Sequence, residues 1–96
     1  MASSAGTASS AQFSVLVEVR LREGIADPQG ATIERALPAL GFDGVGSMRV
    51  GKVMHFTVEA PDAGLARSRA EEMCERLLAN PVIEDADIEI SAPVPA

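Results

Sequence analysis

Alternating apolar and polar residues form the first regular pattern along the chain. In residues 13–22, FSVLVEVRLR, the odd-numbered positions from Phe13 to Leu21 are apolar, and most of the even-numbered ones are polar. A period of two residues is typical of a β-strand that buries one face. Leu16 interrupts the polar set, so the second face of this strand is not wholly hydrophilic. The pattern predicts a strand at the start of a domain.

A helix is predicted next, over residues 28–40. Asp27 is a good N-cap, and Pro28 suits the first helical position because the N–H group there needs no partner within the helix. Gly41 is the expected stop. Pro38 should kink the helix or shorten its last turn, since proline removes a hydrogen bond and clashes with the preceding turn. The predicted buried stripe of this helix consists of Ile33, Ala36, Leu37 and Leu40.

Two short strands follow, at Val45–Val50 and Val53–Ala60, with Gly51-Lys52 near the turn between them. Each strand has its apolar residues at alternate positions. These residues share one face of a sheet only if the connection contains an odd number of residues. We therefore predict a hairpin with a three-residue or bulged turn.

The last part of the chain contains a second helix and a final strand. The helix is predicted over residues 62–79, and Asn80-Pro81 ends it because proline cannot continue a helix. Its buried positions recur every three or four residues: Ala66, Ala70, Met73, Cys74, Leu77 and Leu78. Residues 82–90 then alternate apolar and acidic side chains. They predict a strand beside the first one, at an edge of the sheet.

The order strand, helix, strand, strand, helix, strand predicts an α+β fold of the ferredoxin-like kind. Such a fold has a four-stranded antiparallel sheet with two helices on one face. The expected domain covers residues 13–91. Residues 1–12 consist mainly of Ala, Ser, Gly and Thr and are expected to be a disordered tail, and residues 92–96 are expected to fray.

Composition and charge exclude several classes of function. A net charge of -6, with 3 Phe and neither Trp nor Tyr, argues against a nucleic-acid-binding surface. The single cysteine, Cys74, excludes an internal disulfide and is expected to be a small buried hydrophobe. The start of the chain lacks the features of a secretory signal, and no segment approaches the ~18 apolar residues that a membrane span needs. We therefore expect a cytoplasmic protein without a membrane partner.

Catalytic and metal-binding groups do not assemble in the sequence. His55 is the only histidine and lies within a predicted strand, where an exposed surface residue is the simplest interpretation. The carboxylates of residues 84–89 alternate between the two faces of a strand, which favours a solvated acidic edge over a cation site. We expect no catalytic residue, cofactor or metal. The remaining candidates for function are charged surface groups, among them Arg20 and Arg22.

Three short motifs resemble one known family. DPQG at residues 27–30, RVGK at 49–52 and LLANPVIED at 77–85 are similar to the PurS family, the small subunit of phosphoribosylformylglycinamidine (FGAM) synthase. The resemblance covers residues 13–90. It implies a non-catalytic subunit of an ATP- and glutamine-dependent ligase in de novo purine biosynthesis. It also implies a homo-oligomer, either a dimer or a dimer of dimers, that brings the synthetase PurL and the glutaminase PurQ together for ammonia transfer.

The resemblance also suggests which residues contact the partners. The interface candidates are Asp27, Pro28, Gln29, Gly30, Arg49, Gly51, Lys52, Asn80, Glu84 and Asp85. A homodimer is expected to form through the edge of the last strand or through the open sheet face around Leu16 and Val53. Two alternatives remain open: a ligand-binding regulatory module of the ACT type, and a small enzyme such as an acylphosphatase.

Overall fold

Three antiparallel strands form the centre of the structure, a computed structural model that describes residues 10–93. They are β1 (Ala11–Leu21), β2 (Gly51–Ala60) and β3 (Glu84–Pro93), in the order β2-β1-β3. The central strand buries the apolar face that its alternation predicts: Phe13, Val15, Val17 and Val19 are all at most 6% exposed. The α+β class, the first strand and the position of the last strand beside it at an edge are confirmed.

The strands extend slightly beyond the predicted domain of residues 13–91. β1 begins at Ala11 and pairs that residue with Ala60 of β2, and β3 runs to Pro93. The rest of the predicted N-terminal tail, residues 1–9, and the last residues, 94–96, lie outside the described part of the chain.

The first helix, α1 (Pro28–Ala36), ends where Pro38 predicts a disturbance. A 3-10 turn (Pro38–Leu40) follows it, and the Leu37 N–H group donates to the carbonyl of Glu34 instead of continuing the α-helix. Gly41 then adopts a φ of 95°, a left-handed conformation that glycine tolerates without the clash that a Cβ atom would cause. The predicted shortening and the predicted stop are both confirmed.

The second helix, α2 (Ala63–Met73), covers the buried face of the sheet. The Asp62 carboxylate caps it by accepting a hydrogen bond from the Leu65 N–H group, at 2.8 Å. Ala66 and Ala70 are 0% exposed, since their small side chains let the helix backbone approach β1. A π-helical turn (Cys74–Leu78) follows, and it buries the Cys74 side chain as expected. That burial raises the pKa of the thiol.

The last strand begins two residues later than predicted. The N–H groups of Ile83 and Glu84 both donate to the Asn80 carbonyl, so residues 81–83 form a turn and not the start of the strand. Val82 is consequently 78% exposed, although its sequence position suggested a buried strand residue. Within residues 10–93, none of the helices has both the length and the apolar character that a membrane span requires.

The predicted hairpin and fourth strand are wrong for this chain. Residues 45–50 belong to no strand in the described part of the chain, Ser47 among them has a left-handed φ of 58°, and Gly51 lies inside β2, opposite Arg20. A Cβ atom on Gly51 would approach the Val19 carbonyl oxygen to 2.7 Å, so the backbone is pressed closely against β1 at this point. Gly51 and Lys52 are therefore strand residues where a turn was expected, and the sheet has three strands within residues 10–93.

The predicted packing of α1 is also wrong. Ile33 and Leu40 are 40% and 70% exposed, Ala36 is exposed, and Leu37 is only half-buried. The buried residue of α1 is Gly30, which lies close to the Met48 carbonyl, and among the helices and strands α1 contacts chiefly the 3-10 turn that follows it. Among the described residues only α2 packs extensively over the sheet, so two helices on one face are not observed there.

Candidate functional site

The three sequence motifs meet at the end of β1. We call this region, residues 27–30, 49–52 and 80–85 around the end of β1, the motif corner. An open groove of about 310 Å³ lies on its surface. The predicted interface residues that line this groove are Asp27, Pro28, Gln29, Gly51, Lys52 and Glu84. The structure thus brings together residues that are up to 57 positions apart in the sequence, from Asp27 to Glu84.

Asp27 connects the first two motifs. One oxygen of its carboxylate accepts from the Gly30 N–H group at 2.9 Å, and the other accepts from the Val50 N–H group at 2.8 Å. The first bond caps α1, and the second joins the helix start to the chain that enters β2. The hydrogen bonds from Gly30 and then from Val50 lower the pKa of the Asp27 carboxyl group, because they stabilise its ionised form.

Replacing Asp27 by alanine should release α1 from the chain leading into β2. We expect faster amide hydrogen exchange at both Gly30 and Val50, because each N–H group loses its acceptor. The Asp62→Ala variant is a matched control, since within residues 10–93 the Asp62 carboxylate caps α2 by accepting from Leu65 and has no bond to the chain that enters β2. It should accelerate exchange at Leu65 and leave Val50 unchanged. Unaltered exchange at Val50 in Asp27→Ala would contradict the assigned role.

The same carboxylate makes a defined contribution to the pH dependence of stability. Its pKa in the folded chain lies below the unfolded value of about 3.9. The contribution is therefore complete above about pH 3.9 and is lost as the pH falls through the lower folded pKa. Urea unfolding midpoints measured between neutral and acidic pH should decline less steeply at the acidic end for Asp27→Ala than for the unaltered chain.

Two arginines hold the motifs against the end of β1. Arg49 donates to the carbonyl oxygens of Leu21 and Arg22, both at 3.2 Å. Arg22 donates to the Pro81 carbonyl at 2.6 Å and forms an ion pair with Asp85 at 3.3 Å. The guanidinium group suits this role because it offers several donors in a fixed plane. Both side chains thus make contacts within the chain that fix the shape of the corner.

The remaining predicted interface residues do not line the groove. Gly30 is buried beneath it, and Asn80 shapes the adjacent turn by accepting from the Val82 N–H group at 3.1 Å and donating its own N–H to Glu84. Arg49 and Asp85 line a neighbouring depression. The sequence-based prediction missed three uncharged residues that line the groove, Val19, Leu21 and Val50. Val50 could have been identified from its place inside the RVGK motif, and Leu21 from its position at the end of the first strand.

The groove offers charges of both signs. Arg20 and Lys52 are positive, and Asp27 and Glu84 are negative. Within residues 10–93 no group of three or more His, Cys, Asp or Glu side chains is arranged to hold a metal ion. His55 is exposed on β2, and Phe13 is buried under α2 instead of being presented to a ligand. This arrangement can recognise a polar, charged protein surface through ion pairs and hydrogen bonds.

Comparisons with known proteins agree on one family. The family model PurS, described as phosphoribosylformylglycinamidine (FGAM) synthase, matches residues 14–92. The PurS subunit of Synechocystis sp. is 43% identical over 76 residues, which cover 79% of this chain and 76% of that protein. The PurS subunit of Bacillus subtilis is 42% identical over 78 residues, which cover 81% of this chain and 92% of that protein.

Solved structures give the same result. A crystal form of B. subtilis PurS matches with a TM-score of 0.76 and 41% identity, over 83% of this chain and 99% of that one. A chain in the structure of PurLQS from Thermotoga maritima matches with a TM-score of 0.76 and 35% identity, over 83% of this chain and 98% of that one. This chain belongs to the PurS family of FGAM synthase subunits.

Proposed function

We propose that this chain is a non-catalytic subunit of the FGAM synthase complex in de novo purine biosynthesis. It brings the glutaminase PurQ and the synthetase PurL together, so that ammonia released from glutamine reaches the synthetase. The observation that carries the proposal is the convergence of all three family motifs on one exposed, charged corner. The T. maritima relative, found in a structure of PurLQS, supports the choice of partners.

The chemistry of ammonia explains why a subunit without reactive groups is useful. Ammonia that escapes into water at neutral pH is largely protonated, and the ammonium ion is not a nucleophile. A close contact between the two enzymes prevents that loss, and it requires shape and surface complementarity alone. We infer that the complex works in the cytoplasm, where the free thiol of Cys74 is compatible with a reducing environment.

The motif corner is the proposed contact surface for the larger subunits. Lys52 is exposed at the groove and is the residue best placed to pair with an acidic group of a partner. Asp27, Arg22 and Arg49 maintain the geometry of the corner through their internal bonds. The other interface candidates, including Asn80 and Glu84, shape its rim. In this proposal the corner binds as a preformed surface, which avoids the entropic cost of ordering a flexible loop.

Reversing the charge of Lys52 should weaken assembly with PurL and PurQ. We expect the Lys52→Glu variant to bind about tenfold less tightly, because a favourable ion pair becomes a like-charge contact. Titration of a mixture of the two larger subunits by biolayer interferometry measures the change. Arg76→Glu is the matched control, since Arg76 is an exposed cation of the π-helical turn that pairs with Glu72, away from the motif corner. Equal losses in both variants, or no loss in either, would contradict the assigned surface.

A further inference from the structure

A second depression of the surface lies between the π-helical turn and β3, and its volume is about 340 Å³. Its floor is apolar and consists of Cys74, Ala79, Ala86 and Ile88. Three of these four side chains are small, so the floor is recessed. The depression adjoins the motif corner, with which it shares residues 81, 84 and 85.

Carboxylates surround this floor on two sides. Glu71 and Glu75 lie on the helical side and are exposed, whereas Glu84 and Asp85 lie at the start of β3. Among the lining residues, all of them in the described part of the chain, Arg22 is the one basic group. The lining therefore has four negative charges and a single positive one. We call the depression formed by this floor and these carboxylates the acidic cleft.

The cations nearest to the cleft already have other acceptors. Arg22 is held on the strand side, where it pairs with Asp85 at 3.3 Å. Arg67, one helical turn before Glu71, donates to a backbone carbonyl of β3 at 3.1 Å. Within residues 10–93, neither Glu71 nor Glu75 forms an ion pair. The helical side of the cleft thus keeps its negative charge unneutralised.

This charge is unfavourable for the isolated chain. Glu71 and Glu75 are four residues apart, and like charges at that spacing on a helix repel each other. The pKa of the Cys74 thiol is raised by burial and also by the Glu71 charge, which places this carboxylate close to the floor. A positive group bound in the cleft would relieve the repulsion and cover the apolar floor at the same time.

Lysine and arginine side chains have the matching construction, since an aliphatic stem carries a positive end. We propose that the acidic cleft binds a lysine or arginine side chain of the PurL–PurQ assembly. The stem lies on the apolar floor, and the positive end lies between the carboxylates of the helix and those of β3. This inference rests on the proposed function and extends it: the cleft attracts a basic group of the assembly, whereas Lys52 attracts an acidic one.

Charge favours a basic protein partner over other occupants. A second copy of this chain has a net charge of -6 and is repelled by an acidic surface. The phosphates of a nucleic acid are repelled in the same way. Within residues 10–93 no group of three or more His, Cys, Asp or Glu side chains is arranged to hold a metal ion, and a bare ion would leave the apolar floor uncovered.

Neutralising the two helical carboxylates tests the inference. The double variant Glu71→Gln/Glu75→Gln keeps the shape of both side chains and removes their charge. At about 50 mM salt we expect it to bind a mixture of PurL and PurQ about tenfold less tightly, as measured by biolayer interferometry. The loss should shrink at about 500 mM salt, because ions screen the interaction. Glu72→Gln is the matched control, since Glu72 belongs to the same helix but pairs with Arg76 at 3.3 Å, and it should bind normally.

The thermal stability of the same double variant separates a contact with the partner from a structural role. We expect its unfolding midpoint at low salt to rise by about 1–3 °C, because the repulsion between the two carboxylates is gone. Weaker binding by a chain that is at least as stable shows that a contact has been lost. A lower midpoint would show that the carboxylates stabilise the fold, and it would overturn the inference.

Filling the floor tests whether a side chain enters the cleft. Ala86→Leu adds apolar volume there without changing any charge. We expect it to weaken binding by a similar factor at both salt concentrations, because steric exclusion is not screened by ions. An unchanged affinity would show that nothing occupies the floor, and the inference would then be wrong.

The inference and the proposed function fail in different ways. If the unaltered chain does not bind the mixture of PurL and PurQ, both are wrong. If the unaltered chain binds, and the double variant binds equally well at low salt, the inference alone is wrong. Where the double variant binds less tightly, separate titrations of PurL and PurQ identify the subunit that carries the basic group.

Discussion

The Gly30→Ala variant should be less stable than the unaltered chain, although alanine is the better helix former. Helix propensity alone favours alanine by about 1 kcal/mol. A Cβ atom at this position, however, would lie 2.6 Å from the Met48 carbonyl oxygen and 2.7 Å from the Asp27 carboxylate. The backbone carbonyl cannot move without displacing the segment that enters β2. We expect a net loss of about 1–3 kcal/mol, as for other overpacked sites.

Gly46 provides the matched control for this variant. It also lies between β1 and β2, and a Cβ atom added to it would meet nothing within 4 Å. Urea unfolding should give Gly46→Ala a midpoint at or slightly above that of the unaltered chain. It should give Gly30→Ala a clearly lower one. If both variants were equally stable, the close packing of α1 on the backbone at Met48 would be disproved.

The Ala70→Leu variant should also lose stability, by about 1–3 kcal/mol. Ala70 is 0% exposed and packs in the core cluster with Val15, Val17 and Cys74. A leucine there would push α2 away from β1, because the strand side chains beneath it are fully buried and cannot rearrange cheaply. The thermal unfolding midpoint measures the effect. For a domain of this size it should fall by several degrees per kcal/mol.

Ser68→Leu separates this effect from the general consequences of adding an apolar residue to α2. Ser68 is exposed on the solvent side of the same helix. The substitution introduces the same side chain without entering the core, and surface changes of this kind usually alter stability by at most about 0.5 kcal/mol. A similar loss in Ser68→Leu would show that the damage does not come from packing beneath Ala70.

Local patterns in the sequence predict much of the fold. The alternation around Val15 and Val17 identifies the central strand, because a period of two has no other simple interpretation. Asp27, Pro38 and Gly41 mark the boundaries of α1 through capping and backbone restrictions that act within a few residues. These elements agree with the structure because their causes are local.

The course of the chain at Gly51-Lys52 could not be predicted in the same way. The expected hairpin requires segment 45–50 to pair with its own chain, whereas alternation specifies only which side chains share a face. Whether the connection turns or continues depends on the contact of Gly51 with Val19, which lies 32 positions earlier. The exposed stripe of α1 has the same origin, since an amphipathic helix does not specify which surface it covers. Such patterns also do not show how two copies of this chain would contact each other.

The candidate site was predictable from its motifs but not from its chemistry. Asp27 and Lys52 belong to recognisable motifs, so the sequence alone identifies them as candidates. The internal contacts of Arg49 could not be predicted from the sequence, because its acceptors are backbone carbonyl groups, which every residue has. Arg49, which the sequence predicts as a partner contact, is thus also part of the framework that supports the groove.

The most direct measurement compares two sources of ammonia. Purified PurL and PurQ are assayed for FGAM formation with and without this chain, once with glutamine and once with a high concentration of ammonium chloride. The account predicts that the chain strongly increases the glutamine-dependent rate and leaves the ammonia-dependent rate unchanged, because its only task is to bring the two enzymes together. A glutamine-dependent rate that does not respond to the chain would contradict it.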